Sequence, residues 1–315
     1  FQEYDSWRDL GQELERLGCD GIEGVWGGED LPKDLPAELI LGYHLIFYPD
    51  WLDFYRDDRA ALKQKFGSLE AVASFYGGLG PDTLLEQYRA DLRRAVNLGA
   101  RYVVFHVSDV SLEEGYTYRW LPTNQEVIDA AVEVVNLILG EERWPFEFLV
   151  ENQWWPGFTF TEPEETARLL EGIRFAGKGI LLDTGHLMNA CTELKTEAEG
   201  ADYIRSMLNR HGSLAKWVRG VHLHQSLSGA YVKAHTGSLP AGLPEDYMER
   251  FGVSYQHILQ IDQHRPWTDP AILPVLEQIE PRYLTHELSS RGRMARAEAV
   301  SIQTRLLRQG GRMRV

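Results

Sequence analysis

The run LLDTGHLMNA, residues 181–190, brings Asp183 to the end of an apolar stretch and His186 three residues on, past a Thr-Gly step. Similar side chains end other apolar runs: His44 in GYHLIF, His106 in VVFHVS, Glu151 in LVENQWW, His222 and His224 in GVHLHQS, and Glu287 in LTHEL. A further carboxylate–imidazole pair, Asp262 and His264, stands in IDQHRPW. Singly, each has an ordinary structural use: a strand-end histidine finds a hydrogen bond, and Asp183 can cap the helical turn that follows it. Jointly they do not. Gathering these acids and imidazoles costs several kcal/mol for each uncompensated charge, and few Arg or Lys stand at matching positions. Divalent metal is the compensation this pattern implies. The mixture of imidazole and carboxylate suits Zn²⁺ best, with Mn²⁺ or Fe²⁺ as alternatives.

The elements that must position these groups alternate in type. Apolar runs at 19–26, 39–47, 100–108, 147–152, 179–185, 217–226 and 281–289 read as strands. Helical patterns cover 6–18, about 59–76, 81–99, 124–140, 162–173, 201–212, 269–280 and 293–309, while the stretch between 226 and 269 reads as irregular. Strands alternating with helices, with near-continuous apolar strands, mean parallel βα units covered on both faces. The expected fold is α/β, a (β/α)8 TIM barrel forming a single domain over 1–315. A first strand is not evident and would precede the helix at 6–18. In a barrel, strand carboxyl ends converge on one mouth, where active sites lie. A doubly wound sheet is the alternative, but no GxGxxG follows any strand. The Gly77–Gly80 cluster follows a helical pattern and reads as a turn.

The order His, His, Glu-Asn, Asp-x-x-His, His, Asp-x-His, Glu resembles the xylose isomerase-like TIM barrel superfamily. Its ligand pattern is most similar to the endonuclease IV (AP endonuclease family 2) type. The words that carry the resemblance spread from about Gly42 to Leu288. The resemblance implies that Glu151, Asp183, His222 and Glu287 hold one metal. It implies that His44 and His106 hold a second with Glu151 as a bridge, and that His186, Asp262 and His264 hold a third. Gly185 would then let the chain turn between Asp183 and His186. Up to three divalent ions are implied, Zn²⁺ foremost, with Mn²⁺, Mg²⁺ or Co²⁺ as alternatives.

Two activities fit the resemblance. Sugar isomerases and epimerases of the superfamily need one ion, with Glu151 and Glu287 as catalytic acid–bases that shuttle a proton between adjacent carbons. Phosphodiesterases use a multinuclear site to hydrolyse phosphoesters. The complete ligand set favours the multinuclear site. The acidic balance, a formal charge of −15, and the lack of a basic stripe argue against duplex DNA and for a small sugar or sugar-phosphate substrate. The expected reading is therefore a sugar isomerase or epimerase, with a phosphoester hydrolase as alternative. A barrel that binds a sugar or a partner without catalysis is a third. His224, Trp154, Trp155, Arg265 and Lys233 are candidate substrate contacts, the tryptophans through ring stacking. His211, His257 and His286 have no motif support and read as structural. GxSxG and HExxH are absent, which leaves no serine-hydrolase elbow and no zincin helix.

No run of about 18 apolar residues is present, so no transmembrane helix is expected. Cys19 and Cys191 lie far apart without CxxC spacing, which fits a reducing cytoplasm better than a disulfide framework. Homo-oligomers are common among such barrels, although no surface feature of the sequence marks an interface.

Overall fold

A computed structural model of the chain describes residues 3–26 and 34–310. Each apolar run forms a strand: β1 Ile22–Val25, β2 Ile40–His44, β3 Tyr102–His106, β4 Glu147–Glu151, β5 Lys178–Asp183, β6 Val218–His222 and β7 Tyr283–Thr285. The strands are parallel and follow one another in sequence order. Helices connect them on the outside, giving a nearly closed α/β barrel. Ahead of the first helix the described residues, 3–6, contain no strand. Among the described residues, β1 and β7 have no strand between them, and the Glu23 side chain of β1 spans that interior gap to Thr285.

Side-chain alternation divides each strand between two cores. Val103, Phe105, Phe148, Val150, Ile180, Leu182 and Val221 face outward and pack with the helices. Tyr102, Val104, Leu149 and Leu181 face inward and, with Tyr283, fill the barrel floor. The same parity aims His44, His106, Glu151, Asp183 and His222 inward at the strand ends. Register then sets neighbours: His106 lies opposite Glu151, and Asp183 opposite His222. Gly42 is part of this arrangement, since a Cβ there would lie 2.3 Å from the Tyr102 ring.

Two expectations about helices change. The helical region at 59–76 is two helices, Arg59–Phe66 and Leu69–Tyr76. Gly67, at φ 84°, ends the first, and the Ser68 side chain accepts the Ala71 N–H to start the second. The stretch between 226 and 269 is not irregular, since it contains helices Gly229–His235 and Tyr247–Ile261. Asp246 caps the longer one by accepting the Glu249 N–H. Its buried positions, Tyr247, Ser254, His257 and Ile261, include two polar residues, which blurs the apolar period in sequence. No helix of the described residues is long and apolar enough to cross a membrane.

Candidate metal centre

All nine residues expected as ligands come together at the strand ends, in three groups. His44, His106 and Glu151 form one, Glu151, Asp183, His222 and Glu287 a second, and His186, His224, Asp262 and His264 a third. Within each group, one donor atom per residue lies within 4.8 Å of all the others. The Glu151 carboxylate divides its oxygens. Oε2 lies 3.4 Å from His44 Nε2 and 3.2 Å from His106 Nε2, while Oε1 lies 3.1 Å from His186 Nδ1 and 3.5 Å from His222 Nδ1. His222 Nδ1 also lies 2.7 Å from Glu287 Oε2 and 3.8 Å from Asp183 Oδ2. In the third group, Asp262 Oδ2 lies 2.6 Å from His264 Nε2 and 3.4 Å from His186 Nε2.

These donors fit divalent cations. Both Glu151 oxygens, Asp262 Oδ1, Glu287 Oε2, His222 Nδ1 and His224 Nδ1 are buried without a well-formed hydrogen bond. Buried polar atoms are rarely left so, and here they converge. Burial disfavours charge on Glu151, yet His106 and His222 hold its carboxyl well below the usual range. Burial likewise opposes charge on Glu287, where His222 and His264 prevail and depress it. On the imidazoles burial works against protonation. Asp183 and Asp262 nonetheless raise His186 well above its ordinary value, Glu23 and Glu287 do the same for His222, and Asp262 lifts His264 to about 9. His106 goes the other way, with burial pushing it down. Protons on imidazole thus supply positive charge that bound cations would otherwise bring.

A layer beneath these donor groups orients them. Glu23, which no spacing motif singled out, has Oε1 3.0 Å from His222 Nε2, and its other oxygen accepts the Tyr102 hydroxyl at 2.7 Å. This leaves His222 Nδ1 for the ligand group, as carboxylate–histidine pairs do in metal sites. The signal in sequence was an acid on the inward parity of the GIEGV strand. Asn152 clasps Asp183 through both backbone groups, donating to its carbonyl and accepting its N–H. Gly185 does not serve as a left-handed turn. It lies in the helix Thr184–Asn189, and a Cβ there would fall 2.0–2.8 Å from atoms of the His224 ring. Its lack of a side chain makes room for that imidazole.

A cavity of about 1200 Å³ runs from the barrel floor, where Tyr102 and Tyr283 line it, up to the centre. His44, His106, His186, Asp262, His264 and Glu287 line it, whereas Glu151, Asp183, His222 and His224 lie behind them, each fully buried. Trp154 and Trp155 also line it, and the Trp154 ring centroid is 5.2 Å from that of His186. Phe47, half-exposed, lies 4.4 Å from His106 in the same sense. His224, expected as a substrate contact, is fully buried and does not line the cavity, and two other candidate contacts lie apart from the centre. Lys233 pairs with Glu193 on the surface at 2.7 Å, and exposed Arg265 is tied to Gln225 through its backbone. The histidines without motif support have internal partners: His211 with Thr166, His257 with Tyr231, and His286 with Gln303. Both cysteines are unpaired.

No curated protein matches the sequence. Residues 12–280 match the xylose isomerase-like TIM barrel family. The chain belongs to this family. Among solved structures, a D-tagatose 3-epimerase-like protein shares 16% identity at a TM-score of 0.54, covering 98% of this chain and 95% of its own. A D-allulose 3-epimerase from Methylomonas sp. shares 11% at 0.51, with 96% and 91% covered. Endonuclease IV from Thermus thermophilus shares 16% at 0.50, with 96% and 95% covered. At these identities the likeness is one of fold, and function has to be argued from the site.

Proposed function

We propose that this xylose isomerase-like barrel is a multinuclear divalent-metal hydrolase acting on a small phosphoester. The observation that carries this reading is Glu151: it is 0% exposed, with one oxygen turned to His44 and His106 and the other to His186 and His222. A carboxylate so enclosed is suited to joining two ion positions and poorly suited to exchanging a proton with substrate. Divalent ions held there supply Lewis-acid polarisation and activate water at neutral pH. The protein's part is positional. His44, His106 and Glu151 provide three donors, which leaves room for a further ligand from the cavity. Glu287 joins the buried group and also lines the cavity, so its carboxylate would face both a bound ion and a substrate. Trp154, Trp155 and Phe47 offer ring faces to a sugar or base.

The second reading is a sugar isomerase or epimerase with Glu151 and Glu287 as acid–base pair. Its support is Glu287, whose side chain is 32% exposed and lies within reach of both a substrate and His222. Metal analysis and two substrate panels separate the readings, using protein prepared without chelators. The hydrolase reading expects about two to three zinc ions per chain and turnover of bis(4-nitrophenyl) phosphate. Joint replacement of His44 and His106 by Ala should cut that turnover by about 100-fold or more. One ion per chain, with ketose epimerisation abolished by Glu287→Gln, would establish the isomerase instead. Saturable sugar binding without turnover on either panel would leave a binding barrel.

A further inference from the structure

Resting on the metal-site reading, we infer that His224 is the fourth protein ligand of the third group, closing that position and making its ion a structural clamp. Three observations converge. One ring nitrogen of His224 falls within 4.8 Å of donor atoms from His186, Asp262 and His264, a group that shares no residue with the other two. The ring is 0% exposed, with Nε2 held 2.9 Å from Asp183 Oδ2 and Nδ1 left without a hydrogen-bond partner. An imidazole fixed to a carboxylate through one nitrogen, with the other free, is the common state of a ligating histidine. Finally, Gly185 is the residue whose missing Cβ admits this ring.

Four protein donors fill a tetrahedral zinc position, whereas catalytic positions keep one open. The third ion would therefore bind neither water nor substrate. Its location indicates another task. His186 and His224 belong to the wall of the barrel, at or just past the ends of β5 and β6. Asp262 and His264 belong to the segment that leaves the helix Tyr247–Ile261. That helix lines the cavity through Phe251, Ser254, Tyr255 and Ile258. His264 holds a left-handed backbone at φ 47°, an unfavourable state for a non-glycine residue that surrounding contacts must maintain. An ion shared by these four residues ties the cavity-covering segment to the wall.

Cobalt substitution tests this directly. Native protein loaded with Co²⁺ should show one intense four-coordinate absorption that added azide does not alter, and should keep that ion through dialysis against a mild chelator. His224→Gln can still donate to Asp183 but is a poor ligand, and it should retain one ion fewer and lose the azide-insensitive band. Gly185→Ala, which displaces the ring, should do the same. In both variants, amide exchange over 247–264 should quicken while the seven strands stay protected. If His224→Gln keeps every ion and the unaltered band, His224 only positions Asp183 and the inference is overturned. It is also overturned if azide perturbs every cobalt band of the native protein, a result that needs no variant to fold. Failure to bind any metal would sink the proposed function as well, whereas ions bound without His224 would sink this inference alone.

Discussion

At the residue scale, the donor groups were legible because imidazoles and carboxylates recur at the ends of β2 through β6 and just beyond β7. What sequence could not deliver was the partner of each nitrogen. Glu23 sits in a short Gly-Ile-Glu-Gly-Val run with no ligand-like spacing, and only barrel closure brings it to His222, 199 residues away. Its contact with Nε2 leaves His222 Nδ1 facing the other donors. Glu23→Gln should thus weaken metal affinity by about 10–100-fold while leaving stoichiometry unchanged at saturating metal. Competition with a chromophoric chelator measures it, and an unaltered affinity would assign Glu23 to the Tyr102 and Thr285 hydroxyls instead. Gly185 shows the same limit. Its spacing between Asp183 and His186 suggested a turn, but a glycine can also be required by a ring arriving from another strand.

At the scale of elements, the seven strands were readable because parallel strands covered on both faces are apolar along their length. The helix Tyr247–Ile261 was not, because polar groups take buried positions on it. The loop after β2 depends on another buried polar device. Asp109 Oδ1 accepts the N–H groups of Trp51 and Leu52, at 2.7 and 2.8 Å, and Lys65 bridges Asp50 and Asp53 nearby. Burial, reinforced by the Asp50 charge, pushes the Asp109 carboxyl up to about 8. A carboxyl whose folded pKa is raised keeps a proton that the unfolded chain releases near 4. Its contribution to stability is therefore full below about pH 4 and declines as pH rises towards 8. Asp109→Asn retains the accepting oxygen without the charge, so stability measured by urea unfolding should fall less between pH 5 and 8 than in the native protein. Parallel decline of the two proteins would show that Asp109 ionises freely. A smaller test concerns the barrel floor. Gly42→Ala would push a methyl into the Tyr102 ring and should cost about 1–3 kcal/mol of stability, visible as a lower thermal midpoint.

At the scale of the whole molecule, the strand ends gather buried carboxylates together with imidazoles, so folding and ion binding should be linked. The described strands bring ligands from β2 through β6 and from just beyond β7, and unfolding disperses them all. An ion that binds only the folded chain adds about 2.7 kcal/mol when present at 100 times its dissociation constant. Each further ion adds its own share. Chelation should therefore lower the thermal midpoint by several degrees at pH 7.5, given about 2–4 °C per kcal/mol for chains of this size or somewhat smaller. The sign of the pH dependence follows from the ligands. Imidazole must be neutral to bind metal, and the carboxylates around His186, His222 and His264 favour their protonated forms. Protons and ions thus compete, and lowering the pH weakens metal binding. The midpoint difference between metal-loaded and chelated protein should be large at pH 7.5 and shrink markedly at pH 6, with metal uptake in weakly buffered solution releasing protons. If loaded and chelated proteins unfold together at pH 7.5, protonated histidines alone balance the buried acids, and the centre is an ion-pair network that holds the strand ends together without metal.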